Sequence, residues 1–151
     1  MSDYDTDFYA WAQHQAAAIR AGAWGEVDRE HVAEEIEDVA RSERRALVSH
    51  LRVLLTHLLK WEHQPQRRSD SWLHSMGNAQ IEVQTILDDN RSLHRELSDF
   101  VARAYEQARR LAARETGLPI GTFPEFCPWS PEQLLSQATI PDKLDEGRAE
   151  T

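Results

Sequence analysis

Apolar residues recur at helical spacing in successive stretches of this chain, and nowhere in the strict alternation that marks a strand. In the first stretch Phe8, Ala12, Gln15 and Ile19 share a face with Trp11 beside it, which predicts a helix over 6–21 capped by Asp5 or Thr6. Gly22 and Gly25 flank Trp24 and mark a turn. The second stretch opens after an Asp28 cap and continues to His63, since Pro65 forbids further helix. Its stripe Val32, Ile36, Val39 runs on through Leu47, Leu51, Leu54, Leu58 and Trp61, and Val48, Val53, Leu55 and Leu59 widen the arc over the second half. That half is expected to be the central core element. Such a helix reaches on the order of 50 Å, so it is expected either to kink near Arg41-Ser42 or to project beyond its neighbours.

The third helix is predicted over 70–89 from a Ser69 or Asp70 cap, with Trp72, Met76, Ala79, Val83 and Ile86 on one face and Gly77 inside it. A fourth follows a Ser92 cap, carries Leu93, Leu97, Phe100, Ala104, Ala108 and Leu111, and stops at Gly117 ahead of Leu118-Pro119. Pro119, Phe123, Pro124, Phe126 and Pro128 then predict an extended segment wrapped on the helices. Ser130-Pro131-Glu132-Gln133 is a capping box that opens a short fifth helix reaching about Gln137. The fold class is therefore all-α: four main helices packed as a bundle around one long central helix, a short fifth helix and an extended C-terminal wrap. A single domain is expected over 1–140, with a frayed tail over 141–151.

Composition narrows the classes of function. With 151 residues, 40% hydrophobic and 28% charged, the chain can bury a core of its own. Its net charge of −9 argues against a dedicated nucleic-acid binder. The single Cys127 forms no internal disulfide and suits a reducing compartment. No apolar run approaches a membrane span, and the acidic stretch Met1 to Asp7 is unlike a secretion signal. A cytoplasmic protein is expected.

Charge is segregated along the long helix. Seven acidic residues and one Arg lie between Glu26 and Asp38; seven basic and two acidic residues lie between Arg41 and Arg68. Helix-dipole complementarity and pairs such as Glu37–Arg41 account for part of this. Two copies of residues 28–63 crossing antiparallel would also set acidic halves on basic halves, as in an isologous homodimer.

Candidate chemistry is sparse. Glu43, His50 and His57 recur every seven residues, a rise of about 10.5 Å that keeps the two histidines from sharing one ion. His57 reads instead as a half-buried histidine donating to a carbonyl or carboxylate. His31-x-x-Glu34-Glu35-x-x-Asp38 places an imidazole and three carboxylates at metal-ligand spacing. The repeated Glu-x-x-His of di-iron bundles is not reproduced, although His14, Glu96 and Asp99 lie on other helices. Arg67, Arg68 and Ser71, with the free N–H groups that open the third helix, form a candidate anion site, opposed by Asp70. Cys127 reads as a packed small residue. No nucleophile elbow, phosphate-cradling loop or zinc pattern occurs, and no cofactor is expected.

The string His57-Leu58-Leu59-Lys60-Trp61, Gln64-Pro65, Arg68 and Ser71-Trp72 is familiar as a set. With Tyr4…Asp7-Phe8-Tyr9-Ala10-Trp11, Glu34-Glu35-Ile36-Glu37, Ser42-Glu43-Arg44-Arg45, Glu115-Thr116-Gly117-Leu118-Pro119, Phe123-Pro124 and Cys127-Pro128, it resembles the bacterial domain-of-unknown-function family numbered 29. The segment 73–80, with His74, Met76 and Gly77, departs from the more basic helix expected there. The resemblance implies an all-α bundle and carries no activity with it. The reading is a non-catalytic helical interaction module, a homodimer through the 28–63 helix, with its protein partner unknown. The alternatives are a ligand- or metal-dependent enzyme built on Glu35, His57, Lys60 and Arg68, or weak anion contact through Arg67 and Arg68.

Overall fold

The computed structural model describes residues 3–141, and among them the chain is all-α, with six α-helices and no strand. The expected tail lies, apart from Pro141, outside the described residues. The helices are α1 (Asp3–Thr6), α2 (Phe8–Ala21), α3 (Arg29–His63), α4 (Asp70–Asp89), α5 (Leu97–Thr116) and α6 (Pro131–Leu135). The chain sorts into two compact units that adjoin in sequence at Ser42 and Glu43, inside α3. Helical structure runs through that point without a break.

Local chemistry sets most of the boundaries. Ser69 accepts from the Trp72 N–H to open α4, and Ser130 and Gln133 exchange both bonds of the capping box that opens α6. Gly22 and Gly117 end α2 and α5 at φ 71° and 74°, the left-handed conformation that a side chain resists. Two expected caps moved. Asp3–Thr6 folds into a turn of its own, so the cap of α2 is Asp7, which accepts from the Ala10 N–H. Ser92 does not open α5. Asn90 accepts from the Leu93 N–H and donates to the Ile86 carbonyl and to Glu43, which holds Arg91–Glu96 in a 3-10 turn before α5 begins at Leu97. The short fifth helix ends at Leu135, and a 3-10 turn follows at Gln137–Thr139.

The second unit holds a continuous core. Leu47, Leu51, Leu54, Leu55, Leu58 and Leu59 of α3 pack with Met76, Val83 and Leu87 of α4 and with Phe100, Ala104 and Ala108 of α5. The stretch between α5 and α6 is tied down by its backbone. Phe123 is buried, Tyr105 Oη donates to the Pro124 carbonyl at 2.5 Å, and Arg109 donates twice to the Phe123 carbonyl at 3.2 Å. Buried Gln80 of α4 donates to the carbonyls of Leu134 and Ser136, which holds α6.

The first unit is different. It buries Trp11, Gln15 and Ala18. The stripe Val32, Ile36, Val39, continuous by spacing with the apolar stripe of the second half of α3, lies open: Ile36 and Val39 are 65% and 64% exposed. Periodicity makes these positions one face of the helix, but among the described residues no neighbour covers them.

Candidate functional site

The residues of the sequence signature sit at the end of α3 in the second unit, and their polar groups hold that end in place. His57 Nδ1 lies 2.7 Å from the Val53 carbonyl, so Nδ1 carries the proton and donates. Burial pushes the His57 imidazole below its ordinary value, and the Lys60 ammonium adds to that effect. Lys60 Nζ donates to Glu115 of α5 at 3.2 Å and stands 4.8 Å from the centre of the Trp72 ring. Arg68 turns back from beyond the Pro65–Arg67 turn, donates to the Trp61 carbonyl at 2.8 Å and lays its guanidinium over the Trp61 ring at 4.8 Å. Buried Gln64 reaches the Thr116 carbonyl. The last carbonyls of a helix lack partners within it; here Arg68 supplies one from across the turn.

The candidate residues are divided between the two units. Glu35 belongs to the first unit, and His57, Lys60 and Arg68 belong to the second. Of the anion candidates, Arg68 is engaged as described, and Arg67 and Ser71 are exposed. Of the metal candidates, His31 Nδ1 meets Asp28 at 2.7 Å, Glu35 accepts from Tyr4, Asp38 pairs with Arg41, and Glu34 is exposed. Among the described residues, no three His, Cys, Asp or Glu side chains stand in an arrangement that would hold a metal ion. The Cys127 thiol donates to the Trp129 carbonyl at 3.3 Å, and burial pushes it up, away from the reactive thiolate.

Two features were not foreseen from the sequence. The first is an apolar groove in the first unit, about 320 Å³, between α2 and the opening half of α3. Phe8, Ala12 and Ile19 form one wall and Val32, Ile36 and Val39 the other, with Trp11 and Glu35 also lining it. Phe8 is 50% and Ile19 39% exposed. A lock of aromatic and polar side chains sets the groove's geometry. Tyr4 Oη donates to Glu35 Oε1 at 2.5 Å while its ring stacks on His31, with centroids 3.9 Å apart and planes 13° from parallel. The edge of Trp11 closes on Tyr4 at 4.8 Å. Buried Gln15 accepts from the Asp28 N–H at 2.6 Å and donates to the Glu26 carbonyl at 3.2 Å, fixing the entry to α3. The hydrogen bond to Glu35 raises the Tyr4 hydroxyl to about 12. The Asp28–His31 bond holds the carboxylate below its ordinary value and the imidazole above its own.

The second feature is a basic cleft in the second unit, about 430 Å³, between α3 and α5. Arg44, Arg45, Arg52 and Arg103 line it together with Ser49 and Gln107. No local motif signals it, because Arg103 comes from a helix far along the chain. No helix among the described residues is long and apolar enough to cross a membrane.

No curated protein and no solved structure matches the chain. A family model does, over residues 4–139, from the lock at Tyr4 to the turn after α6. The chain belongs to that family, the domain of unknown function DUF29.

Proposed function

We propose that the protein is a non-catalytic helical interaction module that self-associates through the groove between α2 and the first half of α3. The observation that carries this reading is the uncovered apolar face: two helices present Phe8, Ile19, Ile36 and Val39 to solvent. Isolated surface hydrophobics are ordinary, but a contiguous set on two facing helices marks an interaction site. The spacing supports a second copy as the occupant. Phe8, Ala12, Gln15, Ile19 on α2 and Val32, Ile36, Val39 on α3 follow the alternating four-three steps of left-handed helix bundles. Two such pairs facing each other complete a four-helix arrangement whose core is now half missing. The stability argument points the same way. A pair of helices with two apolar residues buried falls well short of the core that a segment of roughly 40 residues needs.

Electrostatics give the reading a sharp signature. Residues 1–42 hold ten Asp or Glu and three Lys or Arg, so two first units repel each other. Salt shortens the reach of that repulsion from about 10 Å at 0.1 M to about 3 Å at 1 M and leaves apolar burial intact. Self-association through the groove therefore strengthens with salt. A crossing that lays the acidic half of one α3 on the basic half of another weakens with salt. Light scattering at tens of micromolar across a salt series tests this. The expected result is a mass moving from one protomer toward two as salt rises, and one protomer throughout for Ile36→Ser/Val39→Ser. A wild-type mass of one protomer at every salt concentration, a dimer that dissociates with salt, or a dimeric double variant would overturn the groove mode.

A further inference from the structure

We propose that the cleft between α3 and α5 in the second unit binds a compact polyanion of the oligophosphate class. Four guanidinium groups line it, and their partners are unequal. Arg44 lies over the Phe100 ring at 5.7 Å and meets a single carboxylate, Glu96, at the loose distance of 3.6 Å. Arg52 is held by two neutral acceptors, Gln107 Oε1 at 2.8 Å and Ser49 Oγ at 3.3 Å, which fix its orientation without cancelling its charge. Arg45 and Arg103 make no hydrogen bond or ion pair among the described residues. The cleft therefore concentrates three unbalanced positive charges in a chain whose net charge is −9.

Like charges gathered on one face repel, and packing does not require the head groups of Arg44, Arg45 and Arg103, which are exposed. Planar guanidinium groups match the paired oxygens of phosphate, and an orienting partner lowers the entropy lost on binding. A cleft of about 430 Å³ admits a chain of two or three phosphates. Such a chain sets several negative charges within reach of all four arginines, whereas an acidic peptide spreads its charges one to a side chain. Ser49 and Gln107 add polar groups to the lining. The inference stands apart from the groove: the cleft lies wholly in the second unit, and binding there is measurable on monomer.

Calorimetric titration of the full chain with inorganic triphosphate tests the proposal, with thermal unfolding read in parallel. Saturable binding and a rise in melting temperature are expected, and both should fade as salt increases. In Arg45→Gln/Arg103→Gln, whose altered side chains are exposed, the ligand-free melting temperature should hold while affinity falls roughly tenfold or more. Arg67→Gln, outside the cleft, should bind as the wild type does. ATP and vesicles bearing phosphorylated inositol lipids distinguish a nucleotide source from a lipid headgroup, and binding of either supports the site. No binding of triphosphate, equal loss in Arg67→Gln, undiminished binding in the double variant, or displacement of triphosphate by polyglutamate at equal charge would overturn the proposal.

Discussion

The two halves of α3 carry the same apolar period to opposite ends. From Leu47 to Trp61 the stripe is buried against α4 and α5, and the polar residues beside it are engaged in bonds that hold the helix end. From Val32 to Val39 the stripe faces α2 across an open groove. An amphipathic pattern records that a face is apolar; it does not record what covers it. The covered half is therefore a statement about stability, and on the function proposed above the uncovered half is one about association.

Substitution should separate the two most sharply at matched apolar positions. Leu55→Ala removes a fully buried side chain from the core of the second unit and should cost about 2–5 kcal/mol in urea unfolding followed by circular dichroism. Ile36→Ala, measured at concentrations too low for self-association, should change stability by no more than about 0.5 kcal/mol. Equal losses at the two positions would show that the groove is covered in the monomer, and the contrast would collapse.

The next effect belongs to the helix end. Arg68→Ala removes the donor to the Trp61 carbonyl and the guanidinium over the Trp61 ring together. The expected cost is about 1–3 kcal/mol, with faster amide hydrogen exchange at the end of α3. Arg67→Ala, its exposed neighbour, should be neutral in the same assay. If the two variants unfold alike, the signature arginine has a role other than holding this turn.

Much of the architecture was legible locally. Helix ends declare themselves wherever one residue decides them: Ser69, the Ser130–Gln133 box and Gly117 each act within four residues of their target. The Ser92 cap failed because Asn90 outcompeted it, using bonds to both Ile86 and Glu43, and the second partner is 47 residues away. Site geometry was hidden for the same reason. His57, Lys60 and Arg68 read as polar residues without a task until Glu115, 55 positions from Lys60, and the folded-back turn at Pro65–Arg67 came into place. Arg44, Arg45 and Arg52 read only as part of the basic half of the long helix until Arg103 joined them. The lock at Tyr4, His31 and Glu35 escaped notice because its first member belongs to a helical turn, α1, that no periodicity announces.

The smallest effect is a pair of opposite titrations, one in each unit. His31 is held above its ordinary value by Asp28, so its folded form binds the proton more tightly than the unfolded chain does. The stability it contributes is fully present below the unfolded value, near 6.5, and is lost as pH rises through the folded value. His57 is depressed by burial, so the sign reverses: its contribution is present above about 6.5 and is lost as pH falls toward the folded value. Proton NMR of the two imidazoles should place the His31 midpoint above that of His57. On acidification His31 takes its proton first, beside Asp28, and His57 only at lower pH, where burial opposes the charge although the bond to the Val53 carbonyl favours it. His31→Asn should flatten the alkaline side of the stability profile and His57→Asn the acid side. A common midpoint for both rings would mean that neither environment acts as described, and would remove the electrostatic half of the contrast between the two units.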